Sequence, residues 1–386
     1  MKVVIYCQHV LGVGHFFRTL EIAGAMKSYD VILVTGGGNL DVKFPDHIRQ
    51  VSLPGLMMDS NFKHLHSVNP QKKVEDVKLA RQKLLLDLIK KEQPDLFFIE
   101  LYPFGRRAFR FELIPVLDFI VQNSRMKCKV VCSLRDILVE KKDTAKYERR
   151  VIEALNKYFD AVLVHSDPRL IWLDSTFSRL EKINIPVVYT GFVTPVPDPK
   201  KVQAFRQNAG LGLNGVLIVA SVGGGNVGAP LLKLVIRAVQ QLSENKNIML
   251  NVYTGPYMDE SDKAELHSFS SSRIEIEEFT HDFVSLLGAA DLCVSMAGYN
   301  TCMNIVAANV PAIVWPFAQN REQRARAEKI AQFVPMTVLA DEDLTLPRFA
   351  LILEKRLGTK KENLKNDLDL QGAFNTTKWI EEQIKR

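Results

Sequence analysis

The stretch LGVGHFFR, residues 11–18, sets Gly12, Gly14, His15 and Arg18 directly behind the apolar run KVVIYCQ. A neutral imidazole can take a proton from a hydroxyl near pH 7. At a helix start the macrodipole lowers its pKa and favours that neutral, basic form. Arg18 lies one turn on, on the same helix face. There a guanidinium could hold an acidic acceptor group or a phosphate. The plainer readings are a histidine that only caps a turn and an arginine in solvent. Asp136, in SLRDI behind another strand-like run, could orient His15 or bind an acceptor; its plain reading is a helix N-cap. Glu100 ends DLFFIE at a sheet edge and ranks below these.

Glycines recur where strand-like runs end. SVGGGNVGAP (221–230) and MAGYNT (296–301) both precede helical patterns. Helix starts carry unpaired N–H groups and partial positive charge, and glycine lets a phosphate approach the backbone. Two such loops in the second half point to a diphosphate site there. The dinucleotide spacing fails, because Phe17 stands where the third glycine belongs and the second strand ends in VTGGGNL without an acid. No GK[ST] follows any of these loops, so a P-loop fails too. What remains is a nucleotide-bearing ligand bound mainly by the second half.

The wider composition narrows the class. The 386 residues are 47% hydrophobic, enough for two domains, and carry a net charge of +6. The basic excess clusters in the first half, in QKKVEDVKLARQK, EKKDTAKYERR and GRRAFR, the last with Arg106, Arg107 and Arg110. Such runs are commonly solvated helix faces; otherwise they suit an anionic acceptor or an anionic membrane surface. No nucleic-acid-binding signature is found. Five cysteines, an odd count in apolar contexts, read as buried free thiols, and no metal site can be assembled. LPGLMMDSNFKHLHS (53–67) reads as a loop that could gate an acceptor. No apolar stretch reaches the ~18 residues of a membrane span, and the N-terminus does not read as a signal peptide. The expected location is cytoplasmic, with peripheral contact at the inner membrane face.

These residues need elements to hold them. Runs apolar on both faces, as in a covered parallel sheet, occur at 3–7, 30–36, 48–54, 95–100, 128–136, 161–166 and 186–191, with helices at 15–27, 71–92, 108–123, 143–158 and 168–175. TPVPDPKK at 194–201, with three prolines, reads as a linker. The alternation then restarts and runs to helices at 346–357 and 373–385. The fold class is α/β: two doubly wound, Rossmann-like domains with a cleft between their carboxyl edges. Residues 1–193 form the first domain and 202–370 the second, which carries both glycine loops at 221–230 and 296–301. A final helix over 371–386 could pack back on the first.

IEIEEFTHDFVSLLGAADLCVSMAGYNTCMNIVAANVPAIVWPFAQNREQRARAEKI, within 272–333, resembles the donor-binding domain of the two-domain glycosyltransferases of family 28, whose best-known activity is the N-acetylglucosaminyl transfer that forms lipid II. LPGL, PFGRR, LRDI, DPR and VYTGF in the first half are similar to a bacterial group of predicted glycosyltransferases. The GxGHxxR opening resembles that of a sugar-nucleotide hydrolase of the same scaffold. The resemblance implies a GT-B fold and a UDP-sugar donor. It puts Phe279 and Thr280 beside the base, and Gly224, Gly225 and Asn226 at the diphosphate, with Gly12 and Gly14 also on the donor side. Gly298, Tyr299, Asn300 and Thr301 would offer a helix start to the same phosphates, and Gln319, Asn320 and Gln323 would reach the donor sugar. Arg18 and Arg106 would meet acceptor or phosphate. Asn304 falls where the family has a ribose-binding glutamate. The family's GNPVR arginine is missing near Pro195, and the loop at 223–229 is longer and lacks a serine. The expected activity is an inverting hexosyl transfer with neither metal nor other cofactor, His15 as base and Asp136 beside it, to an acceptor left open. The alternatives are a UDP-sugar hydrolase or epimerase on the same fold, or a non-catalytic nucleotide-sugar-binding protein.

Overall fold

The structure is a computed structural model that describes residues 1–8, 14–37, 42–58, 64–138, 143–211, 215–243, 246–317, 321–358 and 367–384. Its contacts divide the chain into two units. The first holds Met1–Val193 together with Asp369–Arg386, and the second holds Thr194–Leu368.

In the first unit the strands are β1 (Lys2–Tyr6), β2 (Asp30–Thr35), β3 (Ile48–Ser52), β4 (Leu56–Met58), β5 (Leu65–Ser67), β6 (Leu96–Glu100), β7 (Lys129–Arg135), β8 (Ala161–His165) and β9 (Val187–Tyr189). Seven of them form one parallel sheet in the order β3-β2-β1-β6-β7-β8-β9. The inner strands are buried on both faces; Val3 to Tyr6 and Leu96 to Glu100 have no exposed surface. The winding direction reverses between β1 and β6, which register Val3 against Leu96 and Tyr6 against Ile99. Such a reversal leaves a crevice at the carboxyl ends of the two strands, where ligands of doubly wound folds bind. His15 begins the helix behind β1, and Glu100 closes β6.

Two expectations change here. The segment 53–67 carries a short antiparallel pair, β4 with β5, that sets His66 opposite Met57. No α-helix forms over 168–175; Asp167-Pro168 starts a turn, and only a 3-10 turn follows at Leu173–Ser175. Asp167 instead accepts from the backbone and side chain of Arg169. A residue before proline is steered away from helical backbone, which fits this outcome.

The chain returns to the first unit at its end. Phe192 N–H donates to the Asp369 carbonyl at 2.7 Å, and Gly372 N–H donates to the Phe192 carbonyl at 3.0 Å. Asn375 Nδ2 donates to the Thr190 carbonyl at 2.9 Å. The helix Gly372–Ile384 then packs on the helix Gly14–Ala25, with Ile380 in one buried cluster with Phe16 and Ile22. The helix that bears His15 is therefore backed by residues more than three hundred positions away.

The second unit has β10 (Val216–Ser221), β11 (Ile248–Tyr253), β12 (Ile274–Glu277), β13 (Leu292–Met296), β14 (Ala312–Trp315) and β15 (Met336–Val338). They lie parallel in the order β12-β11-β10-β13-β14-β15. Its reversal falls between β10 and β13, the two strands that lead into Gly223–Gly225 and Gly298. A helix Pro199–Asn208 begins inside the stretch expected to be only linker. Asp198 caps it by accepting from Lys200 N–H at 2.9 Å, and Pro199 occupies its first turn. Proline is favoured there because its missing N–H would be unpaired in any case. Among the described residues no helix is long and apolar enough to cross a membrane.

Candidate active site

At the reversal point of the first unit one carboxylate gathers three side chains. His15 Nδ1 lies 2.6 Å from Glu100 Oε1, and Arg18 Nη2 donates to the same oxygen at 2.6 Å. Arg106 brings Nε to 3.7 Å from Oε2, an ion pair too long for a hydrogen bond. Glu100 has no exposed side chain and Arg18 almost none, whereas His15 keeps 23% of its side chain in solvent. The imidazole is thus the member of the cluster that a substrate can reach most readily.

The charges set each proton. Burial lowers the His15 pKa to about 4; Glu100 pulls it up, and Arg106 and Arg18 push it down. The imidazole is neutral at pH 7. Burial would raise the Glu100 carboxyl, but His15, Arg106 and Arg18 together hold it well below the usual range, so it is ionised.

The loop between β6 and the next helix is shaped for this contact. Leu101 and Arg106 both sit in left-handed backbone, at φ 67° and 55°, although neither is glycine. Gly105 must be small, since a Cβ there would lie 2.7 Å from the Leu101 side chain. Non-glycine residues in this region cost of order 1–3 kcal/mol each and gather at functional sites. Here they turn the chain so that Arg106 comes back to the end of its own strand.

A second buried network holds the neighbouring loops. Arg81 donates from Nη1 to the Gly36 and Pro54 carbonyls at 2.9 and 2.8 Å, and from Nη2 to Gln8 Oε1 at 2.7 Å. Glu112 receives Arg81 and the Tyr6 hydroxyl. The ends of β1, β2 and β3 are tied to one guanidinium in this way.

Asp136 is buried directly behind β7; the carboxylate that meets His15 Nδ1 at 2.6 Å is Glu100, which ranks below it from sequence alone. The reason is strand order. β6 lies next to β1, while β7 is one strand further, about 10 Å away at ~4.8 Å per strand. The signal in the sequence was a lone carboxylate ending the otherwise apolar LFFIE. Gly14 is the first residue of the helix that carries His15, and Gly12 lies outside the described residues.

The second unit presents backbone. Gly225 and Gly255 have φ 90° and 83°; a Cβ on Gly225 would lie 2.5 Å from the Thr254 carbonyl, and one on Gly255 would lie 2.3 Å from the Gly223 carbonyl. The loops behind β10 and β11 therefore pack backbone on backbone. Gly224 is open apart from the Tyr257 ring, and Tyr257 N–H donates to the Gly224 carbonyl at 2.8 Å. Asn226 is exposed beside them. Gly298 caps the helix Tyr299–Ala308, whose first turn contains Asn300 and Thr301. The Tyr299 ring is buried under Arg326, so this residue can offer its backbone rather than its ring.

Behind β12, Phe279 is 44% exposed and meets His281 edge to face at 5.0 Å. Thr280 accepts from Asp282 N–H at 3.2 Å. Asn304 Oδ1 accepts from Thr194 Oγ1 at 3.0 Å, and Gln323 Oε1 accepts from Phe317 N–H at 3.0 Å. Both amides thus spend one oxygen on the protein. Gln319 and Asn320 lie outside the described residues. Tyr257, 41% exposed over the glycine loop, was not singled out from sequence because a single tyrosine in TGPYMDES carries no pattern.

Comparison with known proteins adds to this geometry. Residues 219–373 match the glycosyltransferase family 28 C-terminal domain. Over 191 residues the chain is 27% identical to the UDP-N-acetylglucosamine--N-acetylmuramyl-(pentapeptide) pyrophosphoryl-undecaprenol N-acetylglucosamine transferase of Caldicellulosiruptor saccharolyticus, covering 47% of this chain and 50% of that protein. The chain thus spans about half the length of that curated relative. Among solved structures, MurG of Acinetobacter baumannii aligns with a TM-score of 0.56 at 16% identity, over 100% of this chain and 99% of that one. The UDP-GlcNAc 2-epimerase from Methanocaldococcus jannaschii aligns with a TM-score of 0.62 at 12% identity, over 99% and 100%. At these identities the likeness is one of fold, and the fold is GT-B.

Proposed function

We infer that the protein moves a hexosyl group from a nucleotide sugar, UDP-linked, to a hydroxyl acceptor with inversion, because its residues 219–373 match the glycosyltransferase family 28 C-terminal domain in a chain of GT-B fold. That match is the single observation that carries the reading. The glycine loop and the Gly298 helix start, on adjacent strands of the same unit, support it as a diphosphate site. Phe279 and Thr280 flank the base. Asn304 keeps its amide N–H groups for a ribose hydroxyl, and Gln323, Gln319 and Asn320 serve the sugar.

The acceptor is activated from the first unit. His15 takes the proton of the attacking hydroxyl as its oxygen bonds to the anomeric carbon. The bond from that carbon to the diphosphate breaks, and the nucleoside diphosphate leaves with the electron pair. The backbone N–H of Gly224, between Gly223 and Gly225 whose own N–H groups turn to Ser221 Oγ and the Val222 carbonyl, and the dipole of the helix Tyr299–Ala308 meet the developing charge, and we assign no metal or other cofactor to the step. Arg18 and Arg106, expected from the sequence to meet acceptor or phosphate, are buried counter-charges of Glu100 here, so no anionic group of the acceptor is assigned to them. We place the enzyme in the cytoplasm, at the inner membrane face, in building the cell envelope; the undecaprenol-linked acceptor named for the curated relative supports the envelope role.

The test is a panel of UDP- and dTDP-sugars, read by thermal shift and by nucleotide release with and without lipid-linked and soluble acceptors, in chelator. Acceptor-dependent release that chelator does not abolish supports the reading. A donor panel without any stabilisation would sink it. A second reading keeps the scaffold but uses water, or epimerises the sugar; the likeness of fold to the 2-epimerase favours keeping it. Stoichiometric UDP release without acceptor, or a changed sugar on an intact nucleotide, marks that outcome. Donor binding with no turnover, together with an unchanged phenotype for His15→Ala, marks a binding protein.

A further inference from the structure

We propose that Glu100 is the positioning residue of His15: its carboxylate fixes the imidazole as the Nδ1–H tautomer and leaves Nε2 as the working nitrogen. The role in catalysis rests on the function inferred above. The tautomer follows from the cluster alone.

Two groups approach His15 Nδ1, Glu100 Oε1 at 2.6 Å and Arg18 Nη2 at 3.2 Å. An ionised carboxylate can only accept and a guanidinium can only donate. Were Nδ1 a lone pair, it would face the carboxylate oxygen at 2.6 Å with no proton between them. A proton on Nδ1 turns that approach into a short charge-assisted hydrogen bond. Arg18 still has its own bond to the same oxygen at 2.6 Å. Only the Nδ1–H form satisfies all three groups.

The setting keeps this arrangement in place. Glu100 is the last residue of a strand buried on both faces, next to the strand that leads into His15. A site held by strand ends is more precise than one held by loops. Arg106 neutralises the other side of the carboxylate without bonding to it. Among the described residues Glu100 Oε2 has no hydrogen-bond donor, and Arg106 Nε, 3.7 Å away, has no acceptor. With Oε2 unengaged, Oε1 is the oxygen that holds His15 and Arg18, and one oxygen dictates the ring's orientation.

The consequence for the reaction is a division of labour. Nε2 takes the hydroxyl proton, and the charge that appears on the ring is met through Nδ1–H by a carboxylate that stays ionised. Glu100 receives no proton. The imidazolium returns its proton to solvent after the product leaves.

The test is nitrogen-15 labelling of the full chain and long-range proton–nitrogen correlation at pH 7, with His15 identified by its loss in His15→Gln. The wild type is expected to show a protonated Nδ1 and a bare Nε2. Glu100→Ala should shift the ring toward the common Nε2–H form and lower kcat about 10²-fold, with the donor KM within about twofold. Glu100→Asp should restore part of both. Because Ala leaves Arg18 and Arg106 without their counter-charge, Glu100→Gln is measured alongside as the variant of unchanged shape. A wild-type ring protonated on Nε2, or a tautomer indifferent to every Glu100 variant, overturns the proposal whatever the activity. The expected tautomer in a protein that transfers no sugar would leave the positioning intact and overturn the function instead.

Discussion

Arg81 and Glu112 form a two-pronged ion pair with no solvent access, Nε to Oε2 at 2.7 Å and Nη2 to Oε1 at 2.6 Å. The remaining guanidinium nitrogen holds the carbonyls of Gly36 and Pro54. Breaking one half of such a pair strands a buried charge, which costs about 3–5 kcal/mol. Arg81→Met should therefore lower stability by about that much in urea melts. Arg81→Met with Glu112→Leu should recover a large part of the loss, since an apolar pair has no charge left to solvate. If the double variant is no more stable than the single one, the loss lies in the loop carbonyls and not in the charge.

His15 gives a pH profile with a definite sign. Its folded pKa is lowered to about 4 by burial, with Arg106 and Arg18 adding to the effect. The base works only when neutral. The enzyme should therefore hold its rate from neutral pH down to about pH 5 and lose it as pH falls through about 4. A limb near pH 6.5 would mean that His15 is not buried against the guanidiniums as described. His15→Ala should lower kcat about 10²- to 10⁴-fold, while donor affinity, carried by the other unit, stays within about twofold.

His165 ties stability to acid. It is wholly buried at the end of β8, with Nε2 2.7 Å from Ser133 Oγ and Nδ1 2.8 Å from Thr190 Oγ1. Burial lowers its pKa from 6.5 to about 3; Arg18 helps and Glu100 opposes. A depressed histidine leaves stability intact above the unfolded value and removes it as pH falls toward the folded one. At about 1.4 kcal/mol per pH unit, that gap is worth about 5 kcal/mol. Chemical melts should lose stability steadily from pH 6.5 to pH 4, and His165→Gln should flatten that slope. An equal slope in the variant would assign the acid sensitivity to other groups.

What the sequence made legible followed local chemistry. Apolar runs on both faces marked the parallel strands, and the glycines at 223–225 and 298 marked the strand-to-helix turns. The helix at Pro199 is masked in the sequence by three prolines that break helices elsewhere, although Asp198 before Pro199 is a capping signal. The partner of His15 could not be read in the same way. Glu100 and Asp136 both end strand-like runs, and only the order of β1, β6 and β7 puts one beside the imidazole and the other a strand away. Strand order is a long-range property, set by the packing of helices on both faces rather than by residues near 15, 100 or 136. The tie between Phe192 and Asp369 is likewise beyond any local pattern.

The loops behind β10 and β11 separate two kinds of glycine. Gly255, at φ 83°, has the Gly223 carbonyl 2.3 Å and the Gly225 nitrogen 2.6 Å from where a Cβ would stand. Those neighbours are backbone and cannot rotate away. Gly255→Ala must push the loop Gly223–Gly225 out of place or change its own backbone, and both move the Gly224 N–H proposed to meet the diphosphate. Gly224 has only the Tyr257 ring at 3.5 Å and is not in left-handed backbone, so Gly224→Ala fits with ordinary van der Waals contact. Thermal shift with UDP should vanish for Gly255→Ala while the unliganded protein loses about 1–3 kcal/mol. Gly224→Ala should fold as the wild type does, and any loss of UDP binding there measures how closely the phosphate approaches that Cα. Retention of wild-type UDP affinity by Gly255→Ala would move the diphosphate away from this loop and toward the helix start at Gly298 alone.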